Sequence, residues 1–189
     1  VIRIPEENLK AFIKNSRWLF IIAAVIVILD QVSKALVRNY IPLGSSWSPW
    51  PWLTPYARLF HFTNTGVAFG MFQGKSLIFA ILAALVAAAI IYYFQQVPKE
   101  DKVLRFALSM MLGGAVGNLI DRLFNGGEVT DFISVGNFAV FNVADSFITV
   151  GVLVLLIGIY LEDKREKEQK KLANAVEQTI ENSDRTSLE

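Results

Sequence analysis

Four stretches of this chain, residues 18–37, 77–94, 106–120 and 138–161, are apolar enough to cross a lipid bilayer, and this excludes most folds. A crossing needs ~20 residues of helix, because every backbone polar group in hydrocarbon must be bonded inside its own segment. The second stretch carries no charge, and the first is interrupted by Asp30 and Lys34. The third is short and must borrow residues 103–105 or 121–123 to cross. Composition agrees: 53% of residues are hydrophobic and 19% charged, with a mean hydropathy of +0.43, against ~25% charged in a typical soluble domain. No cleavable leader is expected, since the first stretch is long and no small-residue cleavage site follows it. The expected fold is mainly α, a polytopic membrane protein with four transmembrane helices and a small extracytoplasmic loop region containing β structure.

Positive charge orients these spans. Arg3, Lys10, Lys14 and Arg17 precede the first, Lys99, Lys102 and Arg105 join the second to the third, and Lys164, Arg165, Lys167, Lys170 and Lys171 follow the fourth. Connections 38–76 and 122–137 hold fewer basic residues close to the membrane, so the positive-inside rule puts both termini in the cytoplasm and these two loops outside. Three parts are expected: an N-terminal cytoplasmic arm (1–17), a four-helix domain (18–161) and a charged cytoplasmic tail (162–189), a frayed helix passing into partial disorder. The first outer loop holds Trp47, Trp50 and Trp52 among four prolines, a composition suited to lying on headgroups. Residues 58–70 read as short extended structure with Gly66 and Gly70 as turn points.

Against this background the polar residues stand out. Asp131 precedes the last apolar stretch and Asp145 lies near its start, and carboxylates at membrane depth cost ~2.5–3.5 kcal/mol each on insertion scales. Asn64, Asn118, Arg122 and Asn142 map to the same membrane face, so amides, an arginine and two acids gather there. Asp30 and Lys34, acid first at i and i+4, share one helix face and can neutralise each other. Asp121 can pair with a base or meet headgroups, and Arg122 can snorkel to the interface. Gly113 and Gly117 form a small-xxx-small pair for close helix packing. The chain has no cysteine and one histidine, so thiolate chemistry is excluded and a metal-ligand pattern is missing. Neither a cofactor nor a metal is expected. The net charge of +1 argues neither for nor against a polyanionic partner; no nucleic acid is expected.

Five segments of the chain resemble a known family. Asp30-Gln-Val-Ser-Lys34, Asn64-Thr-Gly-Val-Ala-Phe-Gly70, Gly113-Gly-Ala-Val-Gly-Asn-Leu-Ile-Asp-Arg122, Val129-Thr-Asp-Phe132 and Phe141-Asn-Val-Ala-Asp-Ser146 look like the sequence blocks of lipoprotein signal peptidase, in that family's order and spacing. The resemblance covers about residues 18–161 and implies a bacterial inner-membrane aspartyl endopeptidase. Such enzymes cut the signal peptide from prolipoproteins just before a diacylglyceryl-modified cysteine. It implies catalytic roles for Asp131 and Asp145, and substrate or inhibitor contacts for Asn64, Asn118, Arg122 and Asn142. Asp30 and Lys34 match positions of a supporting kind. Membrane lipids are implied partners, globomycin and myxovirescin are the inhibitors to expect, and a monomer supplies every residue required.

The residues also support a dyad on their own terms. Two carboxylates sharing one proton offer both a base for water and an acid for the leaving amine. A proton-coupled transporter would spread its acids through the membrane depth, and here nearly all lie at one face. A non-catalytic scaffold would tolerate Asp→Asn changes. Presenilin-like enzymes place their acids in a Gly-x-Gly-Asp context, which this chain lacks.

Overall fold

The computed structural model describes residues 6–66 and 74–186. Four helices, α1 (Glu6–Tyr40), α2 (Ser76–Phe94), α3 (Lys102–Phe124) and α4 (Val143–Thr186), alternate in direction and enclose a bundle. All four contain a segment long and apolar enough to cross a membrane. Helix α3 is the axis: 61% of its apolar window is buried, against 28%, 22% and 11% in α1, α2 and α4. Leu19, Ala23, Ile90, Phe94, Leu104, Leu108 and Leu112 make the main core. Outward-facing Ile28, Leu29, Ile81, Leu85, Leu153 and Leu156 remain exposed on the bundle, as expected of surfaces whose solvent is lipid.

Small residues set how closely the helices approach. A Cβ on Gly117 would come within 2.7 Å of an Asp30 carboxylate oxygen and 3.3 Å of the Ala144 methyl. Any larger residue there would push α3 away from both α1 and α4. The packing role expected of the Gly113/Gly117 pair is met.

A three-stranded antiparallel sheet caps one end: β1 (Ser46–Trp47), β2 (Ala57–Asn64) and β3 (Val129–Val135), in that spatial order. Val37, Ile41 and Phe132 bury apolar surface between it and α1. The register places Phe62 opposite Asp131 and Asn64 opposite Val129. Thus the strand expected around residues 58–64 exists, and it pairs with the connection between α3 and α4. Residues 67–70, including the turn expected at Gly70, lie outside the described residues.

One boundary differs from that expected, and helix continues into both terminal parts. Residues 6–17, read as an arm, are the first turns of α1. Residues 138–142, read as the start of the fourth span, form no helix. Gly136 (φ 52°) reverses the chain, and Phe141 returns to β3, donating to the Ile133 carbonyl at 3.1 Å and accepting from the Ile133 amide at 2.7 Å. Their apolar character serves this pairing rather than a helix. Finally, α4 runs past Glu162 to Thr186. Its polar part is rich in Glu, Lys, Gln and Ala, good helix formers, and carries i, i+4 pairs such as Asp163–Lys167 at 2.6 Å.

Candidate active site

The sheet end is where the polar residues converge. Its geometry starts from the reversal at Gly136, which delivers Asn142 beside Asp131. Asn142 is fully buried and caps α4. Its side-chain oxygen accepts from the Asp145 amide at 3.0 Å, and its own amide donates to the Asp145 carboxylate at 3.2 Å. This is a reciprocal capping box with Asn and Asp in the two roles. Forming the first turn of α4 therefore fixes Asp145 relative to Asn142. The Asn142 side-chain amide then donates to Asp131 at 2.7 Å and to the Asn118 oxygen at 3.0 Å.

Asn118, on α3, closes the circuit by donating to Asp145 at 2.7 Å. Its orientation is forced. The Asn118 oxygen also accepts from Lys34 at 2.9 Å, and an ammonium can only donate, so the amide nitrogen must face Asp145. Asn64 is oriented in the same way: its oxygen accepts from the Gly66 amide at 2.9 Å, leaving its nitrogen to donate to Asp131 at 3.2 Å. That contact runs diagonally across the β2–β3 pair, within reach of such neighbours.

A cavity of about 490 Å³ opens onto this network, lined by Asn64, Asn118, Arg122, Asp131 and Asp145, with Phe138, Phe141 and Val150 among its apolar walls. Both acids face it, and Asp131 is 3% exposed. Burial, and next the charge of Asp145, push the Asp131 carboxyl up to about 7; hydrogen bonds from Asn64 and Asn142 and the field of Lys34 only partly offset them. A carboxyl that keeps its proton to near neutrality beside a second carboxylate can donate or accept a proton at working pH. Among the described residues, no ion pair involves either acid, and no group of three or more His, Cys, Asp or Glu could hold a metal ion.

The structure sorts the expected site residues into two shells. Asn64, Asn118, Arg122, Asp131 and Asp145 reach the cavity wall. Asn142 stands behind the acids, its amide fully engaged. Arg122 does not snorkel outward: its guanidinium lies 5.9 Å from the Phe79 ring and makes 3.4 Å contacts to the carbonyls of Asn118 and Gly66. Asp30 and Lys34 form the expected pair at 2.8 Å, both wholly buried and off the cavity wall. Asp121 joins them, 3.2 Å from Lys34. Gln31, which the sequence left unmarked, donates to both Asp30 and Asp121 at 3.1 Å. Only its place beside Asp30 hints at this. His61 binds its ring nitrogen to the Ile41 carbonyl at 2.7 Å, a structural contact.

The chain is similar to known proteins over most of its length. The family model described as signal peptidase (SPase) II matches residues 22–161. The lipoprotein signal peptidase of Halalkalibacterium halodurans is 39% identical over 155 residues, covering 80% of this chain and 97% of that protein. That of Caldanaerobacter subterraneus subsp. tengcongensis is 44% identical over 137 residues, covering 71% and 90%. A bacterial membrane enzyme solved by the in meso method at 2.3 Å superposes with a TM-score of 0.71 at 33% identity, covering 79% of this chain and 90% of that one.

Proposed function

This chain belongs to the signal peptidase II family of aspartic-type membrane peptidases, and we propose on that premise that it cleaves prolipoproteins with Asp131 and Asp145 as its acid–base pair. The observation that carries the assignment is that both carboxylates line one cavity and are bridged by one buried residue, Asn142, whose backbone N–H donates to Asp145 and whose side-chain amide donates to Asp131. The ionised member takes a proton from water as the water oxygen attacks the scissile carbonyl. The protonated member donates to the developing oxyanion, and its proton passes on to the leaving amine. The pair titrates as a unit, so the roles belong to the dyad rather than to one residue. Arg122 and Asn64, on the cavity wall, are positioned to bind substrate carbonyls, while Asn142 and Asn118 hold the acids in place.

The same reading extends to location. The basic ends of the helices, with Lys14, Arg17, Lys99, Lys102 and Arg105, lie opposite the sheet; the positive-inside rule makes that end cytoplasmic and the sheet end extracytoplasmic. The protein then sits in the bacterial inner membrane as a functional monomer. The lipidated cysteine of a prolipoprotein occupies the outer leaflet, where the cavity meets it, and globomycin competes there. Trp47, Trp50 and Trp52, each more than half exposed, rest on headgroups beside the site.

The test is cleavage of a purified prolipoprotein by the protein in detergent, with and without the diacylglyceryl group. Scission only before the modified cysteine, blocked by globomycin, is the expected result. Equal cleavage of both forms, or none by a folded sample, would sink the assignment. Labelling of a cysteine introduced at Trp52 in intact cells, against one at Lys171, tests the orientation.

A further inference from the structure

The site holds two pairs of aspartates, and the second pair has no place on the cavity wall. Asp30 and Asp121, from α1 and α3, are 0% and 1% exposed. Lys34 lies between them, 2.8 Å from Asp30 and 3.2 Å from Asp121. Gln31 bridges both and also donates to the Gly117 carbonyl at 3.1 Å. Arg38, 3.7 Å from Asp121, brings the cluster to two positive and two negative charges. An ion cluster buried this deeply is a poor source of stability, because desolvation cancels much of its Coulombic gain. Its backbone contacts supply another role.

Asp30 accepts the backbone N–H of Ala144 at 2.9 Å, and Ala144 immediately precedes Asp145. Asp121 accepts the backbone N–H of Thr130 at 2.9 Å, and Thr130 immediately precedes Asp131. Lys34 holds these two acceptors together and also fixes Asn118, the donor to Asp145. We propose that the Asp30–Lys34–Asp121 cluster is a spacer that sets the separation of the dyad, each of its carboxylates gripping the residue before one reacting acid. These three are positioning residues, since none reaches the cavity. The shape of the fold agrees: Asp131 arrives on a strand and Asp145 on a helix, and no direct backbone pairing joins Thr130 to Ala144. The clamp adds a tie at the residues next to the two acids, beyond the Phe141–Ile133 backbone pairing and the Asn142 bridge. Gly117 leaves room for it, because a Cβ there would collide with Asp30.

The proposal rests on Asp131 and Asp145 being the reacting pair, so the experiment carries its own control. Turnover of a lipidated prolipoprotein is measured per folded molecule for Asp30→Leu, Asp121→Leu, Asp30→Asn and Asp121→Asn, beside Asp131→Asn and Asp145→Asn. A misplacement of about 1 Å can cost ~10²-fold in rate. The Leu variants, which lose the acceptor, are expected to drop kcat by about that factor with KM held within roughly twofold. The Asn variants, which keep an oxygen for the same N–H, should recover at least about tenfold of the loss. The alkaline limb of the pH–kcat profile should also move in the Leu variants, because altered separation changes how the two acids titrate. A merely structural loss would scale kcat without moving that limb. Folded Leu variants with parental kcat and limb would overturn the spacer while leaving the dyad intact. Active Asp131→Asn or Asp145→Asn would instead overturn the dyad reading beneath it. Hydrogen exchange of the wild type covers variants that fail to fold: the amides of Thr130 and Ala144 should be strongly protected, and rapid exchange at either would refute the clamp.

Discussion

The two ends of this bundle are both polar, yet they use polarity differently. At the end opposite the sheet, Asn15 donates to Gln95 at 3.0 Å and Gln95 donates to the fully buried Ser16. Arg105 donates to the Val97 carbonyl at 3.0 Å and the Asn15 carbonyl at 2.7 Å, with its guanidinium 3.9 Å over the Phe94 ring. Each of these contacts ties one helix or connection to another, and a neighbouring cavity of about 650 Å³ is lined by Lys99, Lys102 and Arg105 but by no acid. At the sheet end two carboxylates face a cavity without an ion-pair partner among the described residues. Buried polar groups in a membrane bundle therefore do not mark a site by themselves. The distinguishing property is a pair of acids left to compensate each other at a cavity wall.

The sharpest break in that contrast is made at the acids. Asp131→Asn and Asp145→Asn should each lower kcat by ~10³-fold or more, beyond the ~10²–10⁴ range only if both proton transfers fail together. Both proteins should still insert and keep their helical circular dichroism. Residual turnover above about a tenth of parental would remove the dyad from the mechanism. Asn118→Leu comes next. It frees Asp145 from its 2.7 Å donor and leaves Lys34 one acceptor short. A loss of roughly 10²-fold in kcat is expected, the scale of a misplaced reacting group, and unchanged kcat would show that Asp145 holds its position without the amide.

The raised Asp131 carboxyl makes a signed prediction. Because the folded protein holds this proton up to about 7 while an ordinary carboxyl releases it near 3.8, stability from this group is fully present below the lower value and is lost as pH rises through the higher. The melting temperature should fall between pH 4 and pH 7.5, and Asp131→Asn should flatten that slope. Turnover should decline on the alkaline side of about 7, as the dyad loses its one shared proton. A pH–kcat profile flat to pH 9 would contradict it.

Most of the sheet end is legible in the chain, for reasons that vary by residue. Asp30 and Lys34 reveal their pairing because i, i+4 spacing is enough to bring them together. Asn142 and Asp145 are equally local, three residues apart across a helix start. Asp121 is different: it joins Lys34 only once Gly113 and Gly117 have set the approach of α1 to α3. Gln31 likewise acquires meaning only when its side chain meets Asp121 across α1 and α3, and Thr130 when its backbone N–H meets the same carboxylate. The start of α4 misleads because Phe138 and Phe141 add hydropathy to the span while a turn at Gly136 sends them back along β3. The tail, read as a fraying helix, continues α4 to Thr186 where the apolar pattern has ended.

The mildest test concerns the opposite end, where chemistry should not respond at all. Arg105→Leu removes a cation that donates to two carbonyls and stacks on Phe94. Hydrogen bonds from charged groups are worth ~1.5–3 kcal/mol each, and carbonyls left buried add to the loss. Stability should therefore fall by about 2 kcal/mol or more, read as a lower melting temperature in detergent. Arg105→Lys restores the charge but not the forked donor geometry, so it should recover only part of that loss. Both variants, assayed well below their melting points, should keep kcat within roughly twofold and leave the alkaline limb unmoved, since that end contributes packing rather than transition-state contacts. A shift of the limb in Arg105→Leu would mean that the polar ties of one end reach the acids of the other through α3, and the two ends would then be a single device.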